Sequence, residues 1–297
     1  MKEILFYKYY KSFSIISLIA IVISIIFLLF KGLNYGVDFK GGTLIEIRTD
    51  LENSNISSIR ESFKNMDLGD VSVKQFGKKN DFLVKFEKRN SNDPNFINNI
   101  KNDFQELFNG EFKFRRVENV GPKVSKELLN SGIIAISLSL IAMLFYIWIR
   151  FEWQFSLGAI VAIFHDVLLT LGIFSILSLE INLSIVAAVL TIVGYSMNDT
   201  VVIFDRVREN LKKSNKKIIE ISNLSINETL SRTIITSLTT LLALFSIFFL
   251  GGEILKGFAS AMILGVIFGT YSSIFVANSV LIFLRVSQRT VLKDSND

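Results

Sequence analysis

The chain has 297 residues, half of them (50%) hydrophobic, with a mean hydropathy of +0.46 and a formal charge of +5. Apolar content this high, gathered in long charge-free blocks, excludes an ordinary soluble domain and is typical of a polytopic α-helical membrane protein. There is no Cys and one His, which excludes disulfides, thiolate chemistry and His-rich metal centres, so we expect no cofactor and no metal. The basic residues flank the apolar blocks, which favours positive-inside topology over nucleic-acid binding.

The first apolar block follows a lysine-rich start. Residues 12–30 form a charge-free run of nineteen residues. A secretory signal has the same order of basic and apolar segments, but this run is long for a signal and no small-residue cleavage pattern follows it. We interpret residues 1–31 as an N-terminal segment followed by an uncleaved first membrane helix.

Residues 32–127 are polar and of mixed charge. Alternating apolar residues predict strands at 44–48, 71–76, 82–86 and 111–117, and helical spacing predicts a helix at 53–66. A second helix is expected to begin at Asp93-Pro94 and to end before Gly110, and residues 77–80 have the composition of a hairpin turn. The order β-α-β-β-α-β predicts a small ferredoxin-like α+β domain between the first and second membrane helices.

Five more apolar runs predict membrane helices at residues 128–149, 153–179, 181–210, 233–252 and 257–284, which gives six in total. The connections at 150–152, 180–182 and 253–256 are short, whereas a basic loop joins the fourth helix to the fifth. Residues 128–285 therefore form a predicted five-helix bundle, and residues 286–297 a C-terminal tail. With both termini in the cytoplasm, the basic loops lie inside and the polar domain lies outside.

Ionisable groups inside the fourth helix are the first candidates for function. Thr191, Tyr195, Asn198 and Asp199 recur at i, i+4, i+7 and i+8, which predicts one shared helical face. A charge within a bilayer costs about 3 kcal/mol even on lenient scales, so this face is expected to meet protein or water. Burial disfavours a charged carboxylate and a nearby cation favours it. Asp199 with Arg232, at the start of the fifth helix, is therefore a candidate ion relay, with polar help from Asn198 and Tyr195. The alternatives are local capping or snorkelling by Asp199 and a positive-inside anchor at Arg232.

Other charged or small residues have two open interpretations each. His165 and Asp166 in the third helix, and Asp205 near the end of the fourth, are either part of an ion path or structural. In the sixth helix Gly257, Ala261, Gly265, Gly269 and Ser273 recur every four residues. This stripe permits close helix packing, either as a sliding surface or as a fixed contact.

Several short motifs are distributed along the chain. The first is Gly36-Val-Asp38-Phe-Lys-Gly41-Gly42, and the second is the segment 120–124, Val-Gly-Pro-Lys-Val. Residues 194–200 (GYSMNDT) with 204–210 (FDRVREN) form a third, and later blocks are residues 231–237 (SRTIITS), Gly251-Gly252, Gly257-Phe258 and 269–273 (GTYSS). These motifs resemble the signatures of the SecD/SecF protein-export family, and the third is similar to the fourth-helix motif of its SecF branch. The resemblance covers nearly the whole chain in order.

The resemblance implies an accessory subunit of the Sec translocase in the cytoplasmic (inner) membrane. It would pair with SecD in a twelve-helix assembly related to resistance-nodulation-division transporters, act beside the SecYEG channel on exported polypeptides, and use the proton or sodium gradient. The family's intramembrane Asp falls on Asp199 and its Arg on Arg232. The alternatives are a non-transporting scaffold and half of a small-molecule or lipid exporter. An enzyme is disfavoured because the sequence has no phosphate-loop, zinc-protease, nucleophile-elbow or dinucleotide motif.

Overall fold

The structure, a computed structural model, describes residues 4–49, 56–66, 68–69, 71–75, 80–86, 95–107 and 112–292. The chain divides into two compact units. One unit is Tyr35–Ile133, and the other comprises Met1–Asn34 with Ile134–Asp297.

The first part of the chain contains one membrane-length helix and the elements of a small α+β domain. In chain order they are a 3-10 turn (Phe6–Lys8), α1 (Tyr10–Phe30), β1 (Asn34–Tyr35), α2 (Val37–Lys40), β2 (Gly42–Thr49), α3 (Ile56–Asn65), β3 (Val71–Gln75), β4 (Asp81–Phe86), α4 (Phe96–Leu107) and β5 (Phe112–Val120).

The second part of the chain is almost entirely helical. Its elements are α5 (Pro122–Arg150), α6 (Trp153–Ile176), β6 (Glu180–Ile181), α7 (Leu183–Lys213), α8 (Ile218–Leu250), α9 (Gly252–Phe283) and α10 (Gln288–Leu292). Within the described residues, six helices are long and apolar enough to cross a membrane, namely α1 and α5 to α9, as predicted.

The α+β domain is built on an antiparallel four-stranded sheet with the order β3-β4-β2-β5. Ile45 of the central strand and Phe63 of α3 are fully buried, and Phe63 stacks on Phe104 of α4 with ring centroids 4.5 Å apart. The order β2-α3-β3-β4-α4-β5 confirms the predicted β-α-β-β-α-β arrangement. Residues 77–79 of the predicted turn at 77–80, the helix start at Asp93-Pro94 and the stop at Gly110 lie outside the described residues.

The centre of the helical unit is formed by α6, α7 and α9. Each of these helices buries 50% or more of its most apolar stretch, against 11% in α1 and α5 and 17% in α8. Helix α9 packs against α6, α7, α8 and α1. Large buried side chains such as Phe155 of α6 and Phe204 of α7 meet edge to face, with centroids 5.3 Å apart. Polar groups buried on these three helices are therefore enclosed by protein.

Two predicted connections are helical in the structure, so their assignment as loops was wrong. Helix α7 continues to Lys213 and α8 begins at Ile218, so most of the predicted basic loop is helix. The predicted turn at 253–256 belongs to α9, which follows directly after Gly251. Hydropathy shows where an apolar run ends, but a helix can continue beyond that run when one of its faces stays buried against the bundle. In the first turns of α8, Ile221 and Ile226 are such residues, because both join the bundle core.

Candidate functional site

Asp199 points into the bundle from the middle of α7. Asp199 is 4% exposed, and the Ser237 hydroxyl of α8 donates a hydrogen bond to its Oδ2 at 3.4 Å. Ser237 also shares a 2.7 Å hydrogen bond with Thr270 of α9. A distance of 3.4 Å is long for a hydroxyl donor, since such bonds to oxygen usually measure about 2.5–3.0 Å. The carboxylate is therefore enclosed but weakly held.

The predicted polar face of α7 is divided in the structure. Asn198 and Thr191 are exposed, and Thr191 donates to the Ala187 carbonyl of its own helix. Tyr195 is half-buried. Its hydroxyl lies 3.1 Å from the carbonyl oxygen of Thr236 and 3.1 Å from the Thr240 hydroxyl, both on α8, and hydrogen-bonds to them. Each residue advances about 100° around a helix, so positions i to i+8 spread too widely to share one narrow contact. Tyr195 consequently joins α7 to α8, while Asp199 turns inward.

Arg232 lies within α8 rather than at its start, and its side chain is exposed. Among the described residues no direct ion pair joins it to Asp199, yet its charge acts on the Asp199 carboxylate. Asp199 and Arg232 therefore interact through longer-range electrostatics rather than through a salt bridge. Opposite charges separated in this way stabilise the ionised carboxylate without fixing it in place.

A second buried acid lies on α6. Asp166 is fully buried, and its Oδ2 accepts hydrogen bonds from Ser196 of α7 at 2.6 Å and Ser272 of α9 at 2.7 Å. Its Oδ1 is 2.8 Å from Nδ1 of His165. Asp166 is therefore held by three short contacts, in contrast to Asp199.

Helix α9 connects the two acids through one short segment, residues 269–273, which we call the α9 hub. Thr270 reaches Ser237 beside Asp199, and Ser272 reaches Asp166. Tyr271, between them, donates to the Phe13 carbonyl of α1 at 2.9 Å. Successive side chains of the hub thus contact α8, α1 and α6.

The last residue of the hub extends the contacts to α7. The Ser273 hydroxyl shares a 2.7 Å hydrogen bond with Thr200. Gly269, the first residue, lies so close to Ser196 that a Cβ at Gly269 would stand 3.1 Å from the Ser196 Cβ. A displacement of the hub would therefore be felt by four neighbouring helices.

Asp205 lies apart from this network. Its side chain is 42% exposed and forms an ion pair with Arg150 of α5 at 3.0 Å. Nearby on α7, Arg208 pairs with the buried Glu152 at 2.9 Å. These contacts join the end of α7 to the α5–α6 turn, which favours the structural interpretation of Asp205.

The small-residue stripe of α9 packs within the chain. A Cβ at Gly257 would stand 3.3 Å from Ile185 of α7, and one at Gly265 would lie within 2.9 Å of three side-chain atoms of Ile192. Ala261 and Ser273 are fully buried. The described residues therefore place this stripe against α7, in a close contact of the kind that small residues allow.

The first signature motif shapes the start of the central strand. Gly36 precedes α2, Asp38 lies in that short helix, and Gly41 and Gly42 follow it with φ of 80° and 128°. Residues other than glycine rarely adopt such positive φ angles, which explains why two glycines occur together here. Gly42 is in register with Val120 of the second motif. The two motifs are thus neighbours in the α+β domain.

Several residues of the site were not among those predicted from sequence. They are the hydroxyl-bearing residues Ser196, Ser237, Thr270, Tyr271 and Ser272. Such side chains commonly bond to their own helix backbone and carry no net charge, so sequence position does not distinguish the functional ones. The available signal was the clustering of Thr, Tyr and two Ser in the 269–273 motif.

The chain is similar to proteins of one family along most of its length. Residues 99–287 match the family model described as protein export membrane protein SecD/SecF, C-terminal, and residues 26–50 match the SecD/SecF GG motif. Protein translocase subunit SecF of Rickettsia bellii is 46% identical over 252 residues, which are 84% of this chain and 82% of that protein. The protein of the same name in Cereibacter sphaeroides is 42% identical over 275 residues, covering 89% of this chain and 84% of that protein.

Solved structures give the same result. The crystal structure of SecDF, a translocon-associated membrane protein from Thermus thermophilus, matches 95% of this chain with a TM-score of 0.84 and 34% identity. This chain spans 38% of that one. A SecDF structure in a super-membrane-facing form matches 100% of this chain with a TM-score of 0.70 and 31% identity, and here the chain spans 40% of its counterpart. From the family match, the curated relatives and the shared fold together, the chain belongs to the SecD/SecF family of protein export membrane proteins, in its SecF branch.

Proposed function

We propose that this chain pairs with SecD and couples the proton gradient to late steps of protein export across the cytoplasmic membrane. Family membership makes it a multi-pass inner-membrane protein with an accessory role in Sec translocation. The observation that carries the coupling proposal is Asp199, an acid enclosed by the bundle yet weakly hydrogen-bonded. Intramembrane acids of this kind are costly and commonly mark ion paths.

The proposed step is a change in the charge of Asp199. When the carboxylate is ionised, it attracts Arg232 and the Ser237 hydroxyl; when it is protonated, both attractions weaken. Because Ser237 also bonds Thr270, the change would reach the α9 hub through a single intervening hydroxyl. The packing of α7, α8 and α9 would then differ between the two charge states.

Energy for movement would come from the ion gradient. A proton crossing a potential of ~100 mV supplies about 2.3 kcal/mol, which is comparable to one or two buried hydrogen bonds. That amount suits a small shift of the hub rather than a rebuilding of the bundle. We propose that the shift passes along α1 and α5 to the α+β domain, which lies outside the cytoplasm and acts on the emerging polypeptide.

The proposed assembly follows from the names of the structural relatives. SecDF structures join a region similar to this chain to a longer remainder, so SecD is the expected partner. The SecYEG channel and exported polypeptides complete the proposed set of partners, with lipid around the bundle and both termini in the cytoplasm. The exposed faces of α1, α5 and α8 provide apolar surface for lipid or for partner helices.

The test is export with Asp199→Asn and, separately, Arg232→Ala, each expressed with SecD. We expect both variants to accumulate normally and to lose most of the gradient-dependent stimulation of export. Asp205→Asn is the matched control, since that side chain is partly exposed and paired with Arg150, and it should retain stimulation. Export at the wild-type rate by both Asp199→Asn and Arg232→Ala would refute the relay.

Two further measurements separate the alternatives. Stimulation that survives collapse of the proton gradient would favour a scaffold, and stimulation that follows sodium rather than protons would identify the other coupling ion. Export of small molecules or lipid by vesicles lacking the Sec channel would favour an exporter of the resistance-nodulation-division type.

A further inference from the structure

The bundle contains a buried histidine whose second nitrogen has no partner. His165 is 1% exposed, and among the described residues its Nε2 is buried without a hydrogen bond. Its Nδ1 lies 2.8 Å from Oδ1 of Asp166. Buried ring nitrogens are normally satisfied, so this unpartnered nitrogen is the position of the ring that is left to accept a proton.

The charge of this pair is unbalanced when the imidazole is neutral. The carboxylate of Asp166 receives hydrogen bonds from Ser196 and Ser272, which are neutral donors. Within the described residues, no Lys or Arg contacts either member of the pair. A buried net charge of −1 is unfavourable, and three hydrogen-bond donors offset only part of that cost. One proton added at Nε2 would convert the pair into imidazolium and carboxylate with no net charge.

The surroundings suit a cation on the imidazole. From α9, the Tyr271 ring stacks on the His165 ring with centroids 5.8 Å apart and planes 28° apart. An aromatic face attracts a cation at this range. The Tyr271 hydroxyl is itself engaged by Phe13 and Ser17 of α1.

The other groups that face the pair do not compete for a proton. Helix α7 contributes the Ser196 hydroxyl, and its charged residue Asp199 follows one turn later. Helix α9 contributes Ser272 and Tyr271, and α1 reaches this region through Ser17, which hydrogen-bonds the Tyr271 hydroxyl. Among the described residues, the other hydrogen bonds and ring contacts of the pair thus come from neutral hydroxyl-bearing side chains.

We propose that His165 and Asp166 form a second proton-binding site of the bundle, distinct from Asp199, with the proton taken up at Nε2 of His165. A proton fits better than sodium because hard cations prefer several oxygen ligands, whereas the free group here is an imidazole nitrogen. The Asp166 oxygens are already occupied by three short contacts.

The site is placed to influence the same helices as Asp199. Ser272, which holds Asp166, is two residues from Thr270, which connects to Asp199 through Ser237. Loss of the proton from His165 strengthens the pull of Asp166 on Ser196 and Ser272 and so tightens α6 against α7 and α9. Uptake of the proton relaxes that hold.

The test uses the single His of this chain. Nitrogen-15 labelling of histidine in the full chain, reconstituted in lipid bilayers, gives imidazole resonances that come from His165. We expect Nε2 to be unprotonated at high pH and protonated at low pH, while Nδ1 stays protonated throughout. An Nε2 signal that does not change over the whole pH range in which the helices stay folded would overturn the proposal.

Variants and a change of salt make the test sharper. These measurements do not depend on export activity, so their outcome is separate from that of the Asp199 relay. In Asp166→Asn, the ratio of protonated to neutral imidazole at a given pH should fall about tenfold or more, because an adjacent opposite charge shifts ionisation by about that factor. Asp199→Asn removes the other acid and should leave the transition present. Disappearance of the transition in Asp199→Asn, or a transition that responds to replacing potassium with sodium, would contradict a separate proton site.

Discussion

Gly265 of α9 lies against Ile192 of α7 with no space for a side chain between them. A Cβ at Gly265 would come within 2.9 Å of three Ile192 side-chain atoms, which is closer than Cβ atoms approach their neighbours in folded proteins. One turn further along, a Cβ at Gly269 would stand 3.1 Å from the Cβ of Ser196, which donates a hydrogen bond to Asp166. The distance between α7 and α9 is therefore set by glycines, and the hydrogen bonds of the buried acids depend on that distance.

Gly265→Ala is expected to lower the stability of the bundle. Overpacking a fitted contact costs about 1–3 kcal/mol, which exceeds or cancels the gain of up to ~1 kcal/mol in helix propensity. Gly194→Ala on α7 is the matched control, because no heavy atom lies within 4 Å of a Cβ there. Thermal unfolding in detergent should show a lower midpoint for Gly265→Ala and an equal or higher one for Gly194→Ala. Equal midpoints for the two variants would show that α7 and α9 are not tightly packed.

The sequence allowed much of this architecture to be predicted, because the responsible patterns are local. Six apolar runs predicted the six membrane-length helices, and alternation predicted the strands of the α+β domain. The position of Asp199 within an apolar run also predicted that this acid is enclosed by protein. These features depend on hydropathy and periodicity, which neighbouring residues determine.

The parts that could not be predicted depend on contacts between distant residues. Asn198 precedes Asp199 in the chain, yet it is exposed while Asp199 is buried, and the packing of α9 on α7 decides this difference. The role of Ser272 likewise requires α6 to bring Asp166 beside it. A hydroxyl in an apolar helix has the same local pattern whether it meets a carboxylate or its own backbone.

Tyr195→Phe is expected to weaken the contact between α7 and α8 without abolishing gradient-dependent export. The hydroxyl bonds to Thr236 and Thr240, not to Asp199, so its loss should cost about 1 kcal/mol of stability. Tyr146→Phe, at an exposed position of α5, is the control and should leave the unfolding midpoint unchanged. The measurements are thermal unfolding and export with SecD present. Loss of export by Tyr195→Phe at normal protein level would instead assign this hydroxyl to the relay.

Arg208→Ala is expected to destabilise the α5–α6 turn far more than Arg150→Ala. The Glu152 side chain is 3% exposed and pairs with Arg208, whereas Arg150 and Asp205 are each 42% exposed. Removing Arg208 leaves a buried carboxylate uncompensated, which costs about 3–5 kcal/mol, while an exposed pair contributes about 0–1 kcal/mol. Unfolding midpoints should rank wild type, Arg150→Ala and Arg208→Ala in descending order. Adding Glu152→Gln to Arg208→Ala should recover part of the loss, and failure to recover any would show that charge is not the cause.

Gly42→Ala is expected to disturb the sheet of the α+β domain, whereas Gly121→Ala should not. Gly42 has a φ of 128°, and a Cβ there would stand 2.8 Å from the backbone oxygen of Phe86. A non-glycine residue in such a conformation costs about 1–3 kcal/mol, and the backbone clash adds to that cost. No heavy atom lies within 4 Å of a Cβ at Gly121, which directly follows the Val120 partner of Gly42. Hydrogen exchange on the full chain should show faster exchange in β2, β4 and β5 for Gly42→Ala, and equal protection in the two variants would mean that the paired-glycine motif has a role other than shaping this strand.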